Sequence, residues 1–126
     1  MAGVFEIYVK SRFSAAHALA GYAGDCARVH GHNWDVEVSV RCRELDGTGM
    51  GMDFSDIRAA VDRVAGSLDH RMLNELEPFQ RDNPTSENVA RHLFRELSAA
   101  INAQGIRVSR VKVSETPDAG AAYWEE

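Results

Sequence analysis

The segment NWDVEVSVR, residues 33–41, has the clearest secondary-structure pattern in the chain. Its apolar and polar side chains alternate strictly, which indicates a β-strand with one apolar face and one polar face. Such a strand is typical of an antiparallel sheet that packs a core on one side only. The apolar positions are Trp34, Val36, Val38 and Val40. The sequence therefore predicts an antiparallel sheet that contains this segment.

Further strands are predicted on either side of this segment along the chain. One begins at residue 5 with the alternating stretch FEIYVK and extends toward residue 16. Another covers residues 106–115, where the apolar positions change phase near Ser109, and such a change indicates a β-bulge. A short last strand is predicted near residues 121–124.

Two amphipathic helices are predicted between the strand at residues 33–41 and the strand at residues 106–115. We expect Asp53 or Ser55 to cap the first helix and Thr85 to cap the second, which we expect to end at Gly105. The apolar stripes are Ile57, Ala60, Val61, Val64 and Leu68 in the first helix, and Val89, Leu93, Leu97, Ala100 and Ile101 in the second. The order of elements predicts an α+β fold, with an antiparallel sheet and both helices packed on one face.

Length and composition fit one globular domain that covers residues 1–126. The net charge of −5 disfavours electrostatic binding to nucleic acid, which needs a basic face. No apolar run approaches the ~20 residues of a membrane span. The two cysteines, Cys26 and Cys42, cannot make a disulfide framework. We therefore expect a cytoplasmic protein with free thiols.

Three histidines lie in the first third of the chain and are candidate metal ligands. His30 and His32 are two residues apart at the start of a strand, so their side chains project to the same side. His17 ends a segment that a neighbouring strand could carry alongside them. Three neutral imidazoles with an open fourth position are typical of catalytic zinc sites. The alternative is a set of strand histidines that bind no metal.

Cys26 precedes the His30 and His32 pair by a few residues and has three interpretations. As a fourth ligand it would close the site and make a zinc ion structural. As a thiolate beside a cation it would be a reactive base or nucleophile, because the positive charge lowers the pKa of the thiol. It could also be a small packing residue, which is how we interpret Cys42.

Two carboxylates have both a catalytic and an ordinary interpretation. Asp69 could fix the tautomer of His70 and make it a general acid–base group, or the pair could simply follow the end of a helix. Glu115 could accept two parallel hydrogen bonds from a guanidine-like edge, or it could be a charge at a strand end. The residues alone leave these alternatives open.

Six segments, in this order, resemble the 6-pyruvoyltetrahydropterin synthase / 6-carboxytetrahydropterin synthase family, and they span nearly the whole chain. The segments are FSAAH (13–17), CARVHGHN (26–33), MDF (52–54), LDH (68–70), NPTSEN (83–88) and SET (114–116). The resemblance implies the tunnelling fold (T-fold). In that fold three protomers close their sheets into a barrel, which leaves no exposed sheet edge, and two such trimers commonly stack.

The resemblance also implies a role for each candidate residue. The acid–base pair of this family comes from the neighbouring subunit, which places the site at a subunit interface. By this resemblance the zinc (Zn²⁺) ligands are His17, His30 and His32, the catalytic thiol is Cys26, the acid–base pair is Asp69 and His70, and the pterin anchor is Glu115.

The spacing between Cys26 and His30 resembles the branch of the family that forms 6-carboxy-5,6,7,8-tetrahydropterin in the queuosine pathway. The resemblance therefore implies a zinc-dependent carbon–carbon lyase, a homotrimer or homohexamer, that acts on 7,8-dihydroneopterin triphosphate and releases triphosphate and acetaldehyde. One alternative is a 6-pyruvoyltetrahydropterin synthase, which only eliminates triphosphate. Another is a non-enzymatic binding module that zinc stabilises. The loop at residues 18–25 departs from the family because it is short and lacks basic residues.

Overall fold

The strands form one mixed sheet in the computed structural model, which describes residues 3–126. The long strands β1 (Phe5–His17) and β2 (His30–Cys42) pair antiparallel along their whole length. The two-residue strand β3 (Arg71–Met72) lies parallel to β1 at one edge. On the other side of β2, strand β4 (Ile106–Thr116) and then β5 (Ala119–Tyr123) continue the sheet antiparallel. The strand order is therefore β3-β1-β2-β4-β5.

Two helices begin at the predicted caps. In α1 (Phe54–Gly66) the capping residue is Asp53, whose carboxylate accepts a hydrogen bond from the backbone N–H of Ser55 at 2.8 Å. In α2 (Ser86–Ile101) the hydroxyl of Thr85 accepts from a backbone N–H of the first turn at 3.1 Å. Each cap satisfies a backbone donor that the helix itself leaves without a partner.

The core lies between the sheet and the helices. Helix α1 packs against β1, and α2 packs against β4 and β5. The alternating apolar residues of β2 face the helices, and the most important of them for the site is Trp34, which is fully buried and stacks on Phe13 at a ring-centroid distance of 5.7 Å. The α+β fold with both helices on one face is confirmed, and the polar face of the sheet is left for other contacts.

The predicted end of the second helix was wrong. Helix α2 ends at Ile101, and Gly105 lies in the following turn with a φ of +79°. The side chain of Asn102 accepts from the backbone N–H of Val108 at 2.7 Å, and this contact ties the chain down after the helix. Ala100 is exposed, so it does not belong to the buried stripe.

The predicted bulge in the sheet is confirmed, but the prediction of a purely antiparallel sheet is wrong. The register of β2 against β4 shifts next to Ser109, which confirms the bulge. The departure is β3, which runs parallel to β1 and makes the sheet mixed at that edge. Within the described part of the chain, no helix is both long enough and apolar enough to cross a membrane.

Candidate active site and metal centre

Three histidines converge at one end of the sheet. The register of β1 against β2 sets His17 directly opposite His30 and sets Ala15 opposite His32. One ring nitrogen from each histidine lies within 4.8 Å of those of the other two. The ring centroids are 4.5 to 5.3 Å apart. The strand pairing therefore brings together the three residues that the sequence proposed as metal ligands.

Backbone carbonyls orient two of these rings. Nδ1 of His17 donates to the carbonyl of Pro84 at 2.7 Å, and Nδ1 of His30 donates to the carbonyl of Arg28 at 2.7 Å. Because Nδ1 carries the proton in each ring, Nε2 has the free lone pair that a metal ligand needs. Burial lowers the pKa of His17 below its ordinary value, and this effect outweighs the Pro84 hydrogen bond and the Glu115 charge, which raise it. His17 is therefore held in the neutral form.

Trp34 forms the floor of the cluster. Its indole N–H donates to the carbonyl of Ala15 at 3.2 Å, which fixes the ring plane. The rings of His17 and His32 meet it edge-on at centroid distances of 4.9 Å and 5.6 Å. The buried indole ring therefore lines one side of the cluster.

The donor atoms fit a divalent cation. Within residues 3–126, Nε2 of His17 and Nε2 of His32 are buried and have no hydrogen-bond partner. A buried polar atom without a partner is costly, so it calls for an explanation such as an ion at that position. Three imidazoles suit several transition metals, including zinc. The three histidines can hold a metal ion.

Glu115 also reaches this cluster. Its carboxylate oxygens lie 3.5 Å from Nε2 of His32 and 4.0 Å from Nε2 of His17. The hydroxyl of Ser86, in the first turn of α2, donates to the same carboxylate at 3.0 Å. Helix α2 thus supplies the group that orients this strand-end carboxylate.

Cys26 stands apart from the three histidines. It lies in a short 3₁₀ turn (Asp25–Ala27) and is partly exposed. Among the described residues, its sulfur is not one of the ligand atoms that cluster within 4.8 Å. The geometry therefore gives no support to Cys26 as a fourth ligand that closes the site. Cys42 is buried, as expected for a packing residue.

Asp69 and His70 form a fixed pair at the edge of β1. One oxygen of Asp69 accepts from the backbone N–H of Ser14 at 2.8 Å, and the other accepts from Nδ1 of His70 at 2.8 Å. These bonds, the Ser14 bond above all, lower the pKa of Asp69. His70 has a φ of +58°, a strained conformation for a residue with a side chain, and its N–H donates to the carbonyl of Ser14 at 2.6 Å.

The Asp69 and His70 pair does not join the three histidines within one chain. The side chain of His70 is 82% exposed, and it lines an open groove of about 550 Å³ together with Ser14 and Asn33. Ser14 and Asn33 alternate along their strands with the residues that face the helices, but the groove is also lined by His32, one of the three clustered histidines. Among the described residues, His70 is therefore exposed beside the candidate metal centre without being one of its clustered ligands.

The sequence matches the model of one protein family over residues 6–126, that of 6-pyruvoyl tetrahydropterin synthase. The chain belongs to this family. It is 37% identical over 123 residues to a 6-carboxy-5,6,7,8-tetrahydropterin synthase of Synechocystis, covering 94% of this chain and 92% of the relative. It is 34% identical over 126 residues to the enzyme of that name from Bacillus subtilis, with 94% and 84% covered.

The fold is also that of a solved family member. The structure of Caenorhabditis elegans 6-pyruvoyl tetrahydropterin synthase matches this chain with a TM-score of 0.87 and 29% sequence identity. The match covers 98% of this chain and 97% of that one. The T-fold expectation for the protomer is confirmed, whereas its assembly stays a prediction.

Three contributors to the candidate site were missed by sequence reasoning. Pro84 acts through its carbonyl, Ser86 acts through a hydroxyl at a helix start, and Trp34 was interpreted only as a core residue. Pro84 and Ser86 lie in the segment NPTSEN, which was matched to the family without a role for either residue. That match was the only available signal, because neither contact follows a sequence period.

Proposed function

We propose that this chain is a zinc-dependent lyase that converts 7,8-dihydroneopterin triphosphate to 6-carboxy-5,6,7,8-tetrahydropterin and releases triphosphate and acetaldehyde. The names of the relatives from Synechocystis and Bacillus subtilis support this activity. The observation that carries the proposal is the convergence of three histidines, two with buried Nε2 atoms that lack a partner. We further propose one domain over residues 1–126, a cytoplasmic location and a role in queuosine or 7-deazapurine biosynthesis.

In this proposal His17, His30 and His32 hold Zn²⁺ through neutral imidazoles. When bound, such a cation acts as a Lewis acid on substrate oxygens and lowers the pKa of a hydroxyl group that it binds. The chain prepares this site by burying His17, which keeps its ring neutral, and by fixing the tautomers of His17 and His30 through carbonyl groups. A fourth protein ligand is not needed, so a position stays open for the substrate.

Glu115 and Cys26 act on the substrate itself in this proposal. The carboxylate of Glu115, held by the hydroxyl of Ser86, accepts two hydrogen bonds from the aminopyrimidine edge of the pterin. This contact sets the pterin side chain toward the three histidines. The thiolate of Cys26 then removes a proton from that side chain.

We propose that Asp69 and His70 of one subunit serve the histidine cluster of another. Asp69, whose pKa is lowered, accepts a hydrogen bond from Nδ1 of His70, and this leaves Nε2 of His70 free to exchange a proton with substrate. The exposure of His70 supports this arrangement, because its ring is open to a neighbouring subunit and is not among the clustered histidines of its own chain. A homotrimer or homohexamer would then be the active form.

The decisive experiment incubates the metal-loaded protein with 7,8-dihydroneopterin triphosphate. We expect 6-carboxy-5,6,7,8-tetrahydropterin by mass spectrometry and one equivalent of acetaldehyde by a coupled dehydrogenase assay. His30→Ala is the inactive control. Formation of a pyruvoyl product without acetaldehyde would contradict the proposed reaction.

The second candidate is a 6-pyruvoyl tetrahydropterin synthase, favoured by the similarity to the solved Caenorhabditis elegans protein. It makes the same first elimination of triphosphate and differs in keeping the side-chain carbons. The non-enzymatic alternative predicts that a chelator unfolds the protein. Under the enzymatic proposals, the chelated protein stays folded and loses only turnover.

A further inference from the structure

The loop of residues 18–29 joins β1 to β2 and carries Cys26. Two asparagine side chains outside this loop hold its first residues. The N–H of Ala18 donates to the side-chain oxygen of Asn74 at 2.9 Å, and the amide of Asn74 donates back to the carbonyl of Ala18 at 2.8 Å. Ala20 and Asn83 repeat this reciprocal pair at 2.9 Å and 2.8 Å.

Each asparagine side chain makes the pair of backbone hydrogen bonds that a neighbouring strand would make. In an antiparallel ladder one residue exchanges both its N–H and its C=O bonds with a partner, and residues two apart present these groups on the same edge. Ala18 and Ala20 are two apart, and β3 already pairs with the same edge of β1 at Ala16. Asn74 and Asn83 therefore extend the hydrogen bonding of this edge past the end of β1, and they fix the backbone at Ala18 and Ala20.

The position of Cys26 follows from this guided path. Leu19 lies between the two held alanines, and its N–H donates to the carbonyl of Cys26 at 2.9 Å. Two 3₁₀-type bonds then close the turn around Cys26, from Ala27 to Gly24 and from Arg28 to Asp25. The backbone of Cys26 is thus tied to a residue whose neighbours on both sides are fixed by the asparagines.

The Asn83 anchor is itself held firmly. Its carbonyl accepts from the N–H of Thr85 at 2.8 Å and from the side chain of Asn88 at 2.8 Å. The next residue, Pro84, is buried and orients His17. One short segment before α2 therefore positions both the Cys26 loop and a candidate metal ligand.

We propose that Asn74 and Asn83 are positioning residues that fix the Cys26 thiol relative to the three histidines. The contribution to turnover rests on the proposed function, in which Cys26 moves a proton. The positioning of the thiol can be measured without turnover, so the two ideas can fail separately.

The test uses three Asn→Asp variants of the full-length, metal-loaded protein. Asn83→Asp keeps the acceptor for the N–H of Ala20. It loses the donor to the carbonyl of Ala20 and places a negative charge against that carbonyl. Asn74→Asp does the same at Ala18. Asn102→Asp is the matched control, because the side chain of Asn102 is seen only as an acceptor, from the N–H of Val108 at 2.7 Å.

Two readouts report on the loop directly. Iodoacetamide alkylation of Cys26 is followed by peptide mass spectrometry, and hydrogen exchange is followed in the peptide of residues 18–29. Losing the bond to the alanine carbonyl, which is part-buried at Asn74 and exposed at Asn83, and placing a charge against that carbonyl should speed exchange at Leu19 by roughly tenfold. We expect a severalfold change in alkylation rate and a roughly tenfold loss of turnover in Asn74→Asp and Asn83→Asp, with full metal stoichiometry and a normal control.

Three results would overturn the proposal. In the first, the alkylation rate of Cys26 and the hydrogen exchange of residues 18–29 are the same in Asn74→Asp and Asn83→Asp as in Asn102→Asp. The second is a loss of metal from Asn83→Asp, which would place its effect on His17. The third is lost turnover with unchanged alkylation and exchange. If one variant fails to fold, the other decides, since each asparagine holds a different alanine. Full turnover in Cys26→Ala would instead refute the proposed role of the thiol.

Discussion

Ser86→Ala removes the hydroxyl that holds the carboxylate of Glu115 and leaves the backbone of α2 unchanged. Ser86 is buried, and its hydroxyl donates to Glu115 at 3.0 Å. The same carboxylate lies 3.5 Å from Nε2 of His32. Without the hydroxyl, Glu115 is free to turn, including toward a cation held by the histidines. We expect both the stability of the fold and the binding of a pterin to suffer.

The magnitude follows from the kind of bond and its exposure. A hydrogen bond to a charged group contributes about 1.5–3 kcal/mol to stability. The side chain of Glu115 is 27% exposed, so water replaces part of the lost bond, and we expect a loss of about 1–2 kcal/mol in the free energy of unfolding. Re-ordering the free carboxylate to meet a pterin costs up to a similar amount, so affinity should fall by up to about thirtyfold.

The assay pairs urea unfolding with calorimetric titration of neopterin, both on metal-loaded protein. Ser98→Ala is the matched control on the same helix, because the hydroxyl of Ser98 is buried and has no hydrogen-bond partner in the described residues. Removing it should leave stability unchanged or slightly higher. Ser86→Thr keeps a hydroxyl and should recover part of both losses.

Two results would refute this reasoning. If Ser86→Ala unfolds at the same urea concentration as Ser98→Ala, the hydroxyl does not hold a charged group. If neopterin binds to Ser86→Ala as tightly as to the original protein, Glu115 does not depend on Ser86 for its orientation, or it does not contact the pterin. A cobalt-loaded sample gives an independent check, since the visible spectrum of the bound cobalt changes if the carboxylate of Glu115 turns to the metal.

Three further predictions concern the metal, the thiol and pH. His30→Ala should lose both metal and turnover, as measured by metal analysis after dialysis. Cys26→Ala should keep one metal ion per chain and lose turnover by about two or more orders of magnitude, and metal loss would make it a ligand instead. Burial lowers the pKa of His92, which packs on Phe79, so the unfolded chain binds that proton more readily. Stability should therefore fall as pH drops from about 6.5 through the folded-state pKa, and His92→Gln should flatten that slope in urea titrations at different pH values.

Local pattern was sufficient for most of the fold. Strand alternation in residues 33–41 and the caps at Asp53 and Thr85 depend on neighbours within a few positions, so the sequence predicted them. The end of α2 was mispredicted because a glycine after a helix is a common signal, whereas here Asn102 takes that place through a contact with Val108. That contact spans the turn into β4, and no helical period reveals it.

The candidate site was predictable in its residue types but not in its assembly. A His-x-His pair at a strand start shares one side by geometry alone, so His30 and His32 could be paired from the sequence. Their meeting with His17 depends on the register of β1 against β2, which the whole buried face determines. The family resemblance named Asp69 and His70, but only the fold showed that His70 is exposed and lies outside the cluster of three histidines.

Amino-acid order by itself determined which side chains face the core, where the helices begin and which residue types carry the chemistry, because these follow from the geometry of adjacent residues. Tertiary structure alone decided that the carbonyl of Pro84, 67 positions away, orients His17, and that Ser86 holds Glu115. Such contacts join points that are distant along the chain, and only packing of the helices against the sheet brings them within hydrogen-bond distance.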